Sequence, residues 1–541
     1  MDRCDGIVIG GGHNGLVCAA YLSRCGLRVT VLEAEREIGG GASTREFLLP
    51  GYKSNMHANF FIGLDDFPIV RDLELERHGF RYLTPDVQHA MLFRDGTAVV
   101  LHRDPRKSVA SIARTSKHDA DAFGHLHQRY AVELAPLLRS FLFHPPLPRK
   151  EIAGRLGGNG KGKELLAFAP LTISQAIDAH FEHPKVRALF KLFAHAITVE
   201  DEAGTGFFLP SLFSTQTTLG LPVGGAFELP RALERIILAN GGAVIRGAAV
   251  REVTREGGRA AGVVLEDGRR LAAGRFVASS LNAPATIRMA GEDAFPAEVN
   301  EKVRNWDWGF HSVRNWDWGF HSLMTLHLAL ADRPRYRAEA YDPDVGRCYN
   351  LIFGAENDAE VAENASERRA GKFPSRTRGH GSCNSQHDPS YAPAGGHVAF
   401  WWPGAPYELE GSAARWDAIK EGATERLVGV WREFAPNLTR DTVRAAKLYT
   451  PLDVERGNRN MVRGAVRMGA YKSTQLGVNR PHPLLSGMRT PLEGFYLCSS
   501  SCQGGGLNGA PGYNAAGVIA EDLGLGLWWE PLPAPALAAQ G

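Results

Sequence analysis

The chain holds 541 residues, 44% of them apolar and 22% charged, with a formal net charge of +2. That composition is ordinary for a globular protein with a large core, and the near-balanced charge gives no reason to expect a nucleic-acid partner. No run of about 18 apolar residues occurs, so nothing reads as a transmembrane helix. Ile7, Val8 and Ile9 read as a short buried strand, and Leu16 to Arg24 carries apolar residues at helical spacing, so the glycines of Gly10-Gly-Gly-His-Asn-Gly15 sit between a strand and a helix. In that context Gly10 allows a tight turn, Gly12 lets the backbone approach a pyrophosphate, and Gly15 lets the helix pack closely on the sheet. The next strand, Leu27 to Glu33, ends on an acid roughly 20 residues on, where a carboxylate takes the ribose hydroxyls of an adenosine. A dinucleotide site is expected here. The first strand begins within a few residues of Met1, so no targeting peptide is expected. The seven cysteines lack a C-x-x-C pair and suit a reducing compartment, so a cytoplasmic protein is expected. No histidine stands at ligand spacing from Cys498 and Cys502, and no metal site is expected.

A second glycine loop, Gly39-Gly-Gly-Ala-Ser-Thr44, follows Glu33 directly, and Phe47 to Phe61 then leads past Asn55, His57 and Asn59. Strands are expected at Ala90 to Arg94 and Ala98 to His102, turning at Asp95-Gly96. Lys107 to Leu142 is rich in helix formers and stops at Pro145-Pro146, and Gly157 to Gly162 is expected to be a linker because its four glycines are costly to order. Pro184 to Ile197 is a helix with Val186, Leu189, Phe190, Phe193 and Ile197 on one side. It reads either as a core helix or as an interfacial helix resting on a membrane surface. Phe207 to Phe213 is apolar enough to line a substrate tunnel or to pack in the core. A further helix, strands over Gly242 to Val253 with a hairpin at Asp267-Gly268, and the strand Phe276 to Asn282 follow.

Val303 to Ser312 recurs without change as Val313 to Ser322. A ten-residue tandem duplication is the simplest cause, and one copy is expected to loop out because a strand can use only one register. Leu323 to Leu330 and His397 to Trp402 alternate like half-buried strands, Asp358 to Ser366 reads as a surface helix, and Phe373 to Pro389 as a polar loop. The strands suggest a sheet roofing the site, from which Trp401, Trp402 and Tyr407 are candidates to stack on a substrate. Near the C-terminus Gly494 to Cys498 is a strand that breaks into the loop Gly504-Gly-Gly-Leu-Asn-Gly509, with a helix beginning near Tyr513. Glycine loops at helix starts present backbone N–H groups to acceptors.

Together the two N-terminal glycine loops, the central strands and the ending Gly-Gly-Gly…Gly509-Ala-Pro-Gly512-Tyr-Asn514 resemble the FAD-dependent oxidoreductases of the amine oxidase and carotenoid desaturase superfamily. More narrowly, they are similar to the phytoene desaturase and carotenoid isomerase related flavoproteins, in the branch called pyridine nucleotide-disulfide oxidoreductase domain-containing protein 2. The stretch Thr450-Pro-Leu-Asp-Val-Glu-Arg456 resembles that branch as well. The resemblance implies FAD as cofactor and an α/β fold: a discontinuous Rossmann-like FAD domain from residues 1–103, 219–295 and 456–541, and a substrate domain with a helical part at 104–218 and a mixed sheet at 296–455. It implies cofactor contacts at Gly10, Gly12, His13, Asn14, Gly15, Glu33, Ala34, Gly40, Gly41, Ala42, Val250, Ser500, Gly505, Gly506, Gly512, Tyr513 and Asn514, and a place for His57 beside the flavin ring as the candidate catalytic group.

Two departures stand out. The superfamily commonly shows an acid and then a glycine where Asn55 and His57 stand. Residues 495–512 contain no acid where related desaturases usually place one, and Ser499 to Ser501 can substitute neutral hydrogen bonds. The implied activity is an oxidoreductase that takes a hydride from a small, mostly apolar substrate and passes electrons to oxygen, a quinone or another acceptor. Open alternatives are a flavin-dependent isomerase without net redox change, an amine or aromatic oxidase, and a flavin-binding scaffold.

Overall fold

Ile7, Val8 and Ile9 are all buried because their strand, Arg3–Ile9, is covered on both faces, which is what a continuous apolar run in a parallel sheet requires. The computed structural model describes residues 3–158, 160–197, 201–308, 324–502 and 507–532. The first strand pairs in parallel with Val29–Leu32 on one side and with Arg270–Ser279 on the other. Ala243–Ile245 extends the sheet beyond Val29–Leu32, again in parallel. On the far side Arg270–Ser279 divides its length. Its first half joins the antiparallel strands Arg259–Leu265 and Val250–Glu256, and its last residues pair in parallel with Phe495–Leu497. This seven-stranded sheet thus draws strands from three separated stretches of chain. The helices His13–Arg24 and Ala510–Asp522 lie against each other on it, buried along most of their lengths.

A second seven-stranded sheet runs in the order Val443–Tyr449, Thr325–Leu330, His397–Pro403, Gly379–Ser382, Asn350–Phe353, Val87–Leu92, Ala98–His102. All its pairings are antiparallel except Asn350–Phe353 with Val87–Leu92. The hairpin at 87–102 therefore belongs with the later strands, not with the first 103 residues as the sequence suggests. Hairpin strands carry no local signal of the sheet they will join.

Helices spanning 105–215 cap this second sheet, and Met91, Val99, Leu101 and Ile352 share one apolar cluster with Phe123, Leu189, Phe190 and Phe213. Val186, Leu189, Phe190 and Phe193 of Pro184–Ile197 are buried in that cluster. The helix therefore packs these residues in the core instead of turning them toward a membrane surface. Among the described residues no helix is long and apolar enough to cross a membrane.

Two loop expectations are also corrected. Gly157 ends the helix Arg149–Gly157 and Gly160 begins Gly160–Ala167, so most of the glycine-rich stretch is helical. Within Phe373 to Pro389, Gly379–Ser382 is a central strand. Its glycines serve close strand approach, since a Cβ at Gly379 would lie 2.3 Å from the Trp402 carbonyl oxygen and one at Gly381 2.1 Å from that of Phe400. The helix Asp358–Arg369 buries Val361, Asn364, Ala365 and Arg368, so it is only half a surface helix. Of the duplicated decapeptide, residues 309–323 lie outside the described residues. In the first copy Trp306 is buried and donates its indole N–H to the Met468 carbonyl, 3.1 Å away.

Candidate active site

The N-terminal glycine loop is held by contacts that only glycine permits. Gly10 has φ +93°, and a Cβ there would lie 2.5 Å from Ser280 Oγ; a Cβ at Gly15 would lie 2.2 Å from the Gly10 carbonyl oxygen. Gly12, the residue preceding the helix His13–Arg24, is different. It has ordinary extended geometry, and a Cβ on it would meet no protein atom within 4 Å. The space beside it is left for something other than this chain. Glu33 is buried; its Oε2 accepts the Gly11 N–H at 2.8 Å and its Oε1 the Glu35 N–H at 2.9 Å. Burial pushes its carboxyl above the usual range, with those N–H groups opposing. The second glycine loop rests on the first, the Gly39 N–H donating to the Gly11 carbonyl at 2.7 Å. Asn14 joins the two ends of the chain, its Nδ2 donating to Ser500 Oγ at 3.2 Å, while its buried Oδ1 has no partner.

These loops open on a cavity of about 950 Å³, at the upper end of the usual range for ligand sites. Of the residues expected at a cofactor, Gly10, Gly12, His13, Asn14, Glu33, Ala34, Gly40, Gly41, Val250 and Ser500 line it, as do His57 and Trp402. Gly15 and Ala42 are buried behind it. Gly512, Tyr513 and Asn514 do not line it either. A Cβ at Gly512 would lie 2.1 Å from the Asn14 carbonyl oxygen, so this glycine serves helix packing. Tyr513 packs on Tyr21 and Phe143 and accepts the Leu532 N–H at 3.2 Å, and Asn514 Nδ2 donates to the Leu142 carbonyl at 3.1 Å. Gly505 and Gly506 lie outside the described residues.

The aromatic candidates separate cleanly. Neighbouring residues on a strand point to opposite faces, so Trp402 faces the cavity while Trp401 stacks on Phe353, ring centres 4.6 Å apart, in the core. Tyr407 is away from the cavity, its hydroxyl donating to Glu455.

His57 is buried, its ring meets Tyr449 edge-on at 5.7 Å, and its Nδ1 has no hydrogen-bond partner. Burial, with the Arg45 charge added, pushes its pKa down to about 3, so the imidazole is neutral. Asn55 is a structural peg, its Oδ1 taking the Ala226 N–H at 3.0 Å and the Thr44 hydroxyl at 2.7 Å. Asn59 does not line the cavity.

Sequence reasoning missed Arg480, which is fully buried. Its guanidinium donates to the carbonyls of Ser500 at 2.7 Å, Ala470 at 3.0 Å, Gln475 at 3.3 Å, Arg467 at 3.0 Å and Met468 at 3.3 Å. It thereby ties the cavity-lining residues Arg467, Met468 and Ser500 into one wall. No periodicity marks this irregular stretch, and a lone arginine after a loop gives no signal.

The cavity's two ends differ in chemistry. Around the glycine loops it is lined by backbone and by Glu33, Arg251 and Glu266. Its other end is lined by Phe60, Leu138, Phe141, Leu142, Phe207 and Phe208 with Trp402. A strand–glycine turn–helix with a bare backbone at Gly12, an acid at the next strand end and a long cleft define a flavin-dependent oxidoreductase, and these residues fit FAD. The chain belongs to the flavin-containing amine oxidoreductase family, whose sequence model matches residues 15–519. A limonene dehydrogenase polypeptide of Castellaniella defragrans is 32% identical over 545 residues, covering 98% of this chain and 96% of that one. Pyridine nucleotide-disulfide oxidoreductase domain-containing protein 2 of Mus musculus is 29% identical, covering 96% and 94%. A crystal structure of putrescine oxidase bound to putrescine shares the fold, with a TM-score of 0.60 at 14% identity over 97% of this chain and 99% of that one. The chain is thus an FAD-dependent oxidoreductase of the desaturase-related kind.

Proposed function

We propose that this enzyme dehydrogenates an apolar alkene-type hydrocarbon, an isoprenoid of about monoterpene size or larger, bound in the aromatic end of the cavity. The observation that carries this reading is the lining of that end. Phe60, Phe141, Phe207, Phe208 and Trp402 offer a hydrocarbon surface, and no carboxylate among the described lining residues stands there to pair with an ammonium group. The relative named as a limonene dehydrogenase supports the same substrate class.

The groups that hold FAD are the Gly10–Asn14 backbone at the helix N-terminus for the pyrophosphate, Glu33 for the ribose, the backbone at Val250 for the adenine, and Asn14 with Ser500 on the remaining length. When bound, FAD supplies the hydride acceptor and passes the electrons to an external oxidant. The protein supplies position and dryness. The apolar end takes the substrate out of water and fixes its orientation by shape. His57, held neutral, offers a hydrogen bond without bringing an uncompensated charge into that space. Anaerobic mixing of the holoenzyme with a cyclic monoterpene such as limonene, and separately with a diamine such as putrescine, tests the reading. Loss of the flavin's visible absorbance with the hydrocarbon alone is expected. Bleaching by the diamine and not by the hydrocarbon overturns it.

A further inference from the structure

Trp402 borders a second and far smaller cavity, of about 30 Å³. Its polar lining comes from four elements: Arg368 and Asn364 on the helix Asp358–Arg369, Arg378 just before the strand Gly379–Ser382, His380 on that strand, and Asn350 on its neighbour. Arg378 is 6% exposed, and its Nε and Nη2 are buried without a hydrogen-bond acceptor. Among the described residues no carboxylate pairs with it, and the charged neighbour that acts on it is Arg368, which is 4% exposed and of the same sign. The acids of the adjoining helix are engaged elsewhere: Glu360 with Arg376 at 2.5 Å, and Asp358 with Lys191 at 3.3 Å and Arg187 at 3.4 Å.

A guanidinium stays charged in proteins, and a buried charge must be met by hydrogen bonds or a counter-charge. Arg480 shows how this chain meets it elsewhere, with five backbone carbonyls around an equally buried guanidinium. Arg378 has none of these, but it has a cavity. That cavity has room for about two water-sized particles at roughly 10–15 Å³ each, too little for a substrate or a phosphate ester. Further donor capacity is present, because the Trp402 indole Nε1 is also buried without an acceptor. Asn350 Oδ1 is occupied by His380 Nδ1 at 3.2 Å, and Asn350 Nδ2 by His89 Nδ1 at 2.9 Å, so the amide is fixed in place.

We propose that this pocket is a binding site for a small monovalent anion of chloride size, held by Arg378 beside Arg368 and bordered by the Trp402 indole. Because Trp402 lines both cavities, the anion sits against the outer side of a wall of the large cavity. Its occupancy sets how firmly that wall is held.

Crystals of the holoenzyme grown in bromide test this directly. An anomalous bromide peak within hydrogen-bond reach of Arg378 is expected, and water alone at that position overturns the site. In solution, thermal unfolding of the holoenzyme is followed against chloride or bromide at constant ionic strength, with gluconate as the anion too large to enter. A saturable upward shift with the halides is expected in the wild type and absent in Arg378→Met. An equal response to gluconate, or equal halide responses in wild type and variant, overturns the proposal. Should Arg378→Met fail to fold, the bromide crystal of the wild type decides alone.

Discussion

At the scale of single residues, Glu33 has two tasks. Its carboxylate holds the glycine loop through the Gly11 and Glu35 N–H groups, and the same group is placed to receive the ribose. Hydrogen bonds to a charged group are worth about 1.5–3 kcal/mol, so Glu33→Ala is expected to raise the FAD dissociation constant about 10- to 100-fold, read by flavin fluorescence on titration. Unchanged affinity would remove Glu33 from the site. Arg480 is the opposite kind of residue, touching no space in the cavity and organising the wall from behind. Replacing it with Met leaves five buried carbonyls short of a donor, and a loss of about 3–5 kcal/mol in urea unfolding is expected. A loss under about 1 kcal/mol, the net worth of one ordinary hydrogen bond, would contradict that role.

At the scale of elements, the contact between the helices His13–Arg24 and Ala510–Asp522 depends on Gly512, whose Cβ would lie 2.1 Å from a backbone oxygen of Asn14. Gly512→Val is therefore expected to cost about 1–3 kcal/mol by overpacking. It should also weaken FAD binding, although Gly512 lies outside the cavity, because it displaces Asn14. Full FAD affinity in a destabilised variant would sink the second half of that expectation.

This glycine also shows the limit of motif reading. The run Gly509 to Asn514 is legible as the partner of the N-terminal fingerprint, but whether each residue faces ligand or helix depends on packing that the motif does not encode. The strands and helices of the dinucleotide sheet are legible because glycine turns, apolar runs and a strand-end acid are local signals. The strand Gly379–Ser382 is not, because small residues chosen for close strand approach carry no apolar alternation. The Trp401/Trp402 division is latent in the sequence, since adjacent strand residues face opposite ways, but only the sheet decides which one faces inward. The wall built by Arg480 and the 457–477 stretch has no periodicity to read at all.

At the scale of the whole molecule, four buried histidines make the fold acid-sensitive. Burial pushes the pKa of His57, His89 and His327 down to about 3 and that of His380 to about 4. Arg45 adds to the effect on His57, His380 to that on His89, and His57 to that on His327. The unfolded chain protonates each at about 6.5. Stability is thus fully present above about pH 6.5 and is lost as pH falls toward the folded-state values, by up to about 1.4 kcal/mol per pH unit for each group. The urea midpoint is expected to be lower at about pH 5.5 than at about pH 7.5. A midpoint that holds or rises on acidification would mean that these imidazoles are not held neutral in the fold.

Everything above turns on the large cavity holding FAD against the bare backbone at Gly12. Because a side chain there meets no protein atom within 4 Å and the backbone geometry suits any residue, Gly12→Leu fills cofactor space without disturbing the fold. The deciding experiment quantifies the flavin released on denaturation, per chain, from wild type and from Gly12→Leu. Close to one FAD per chain is expected for the wild type, and little or none for a variant whose circular dichroism is unchanged. A folded Gly12→Leu variant carrying a full complement of FAD would contradict this placement of the cofactor.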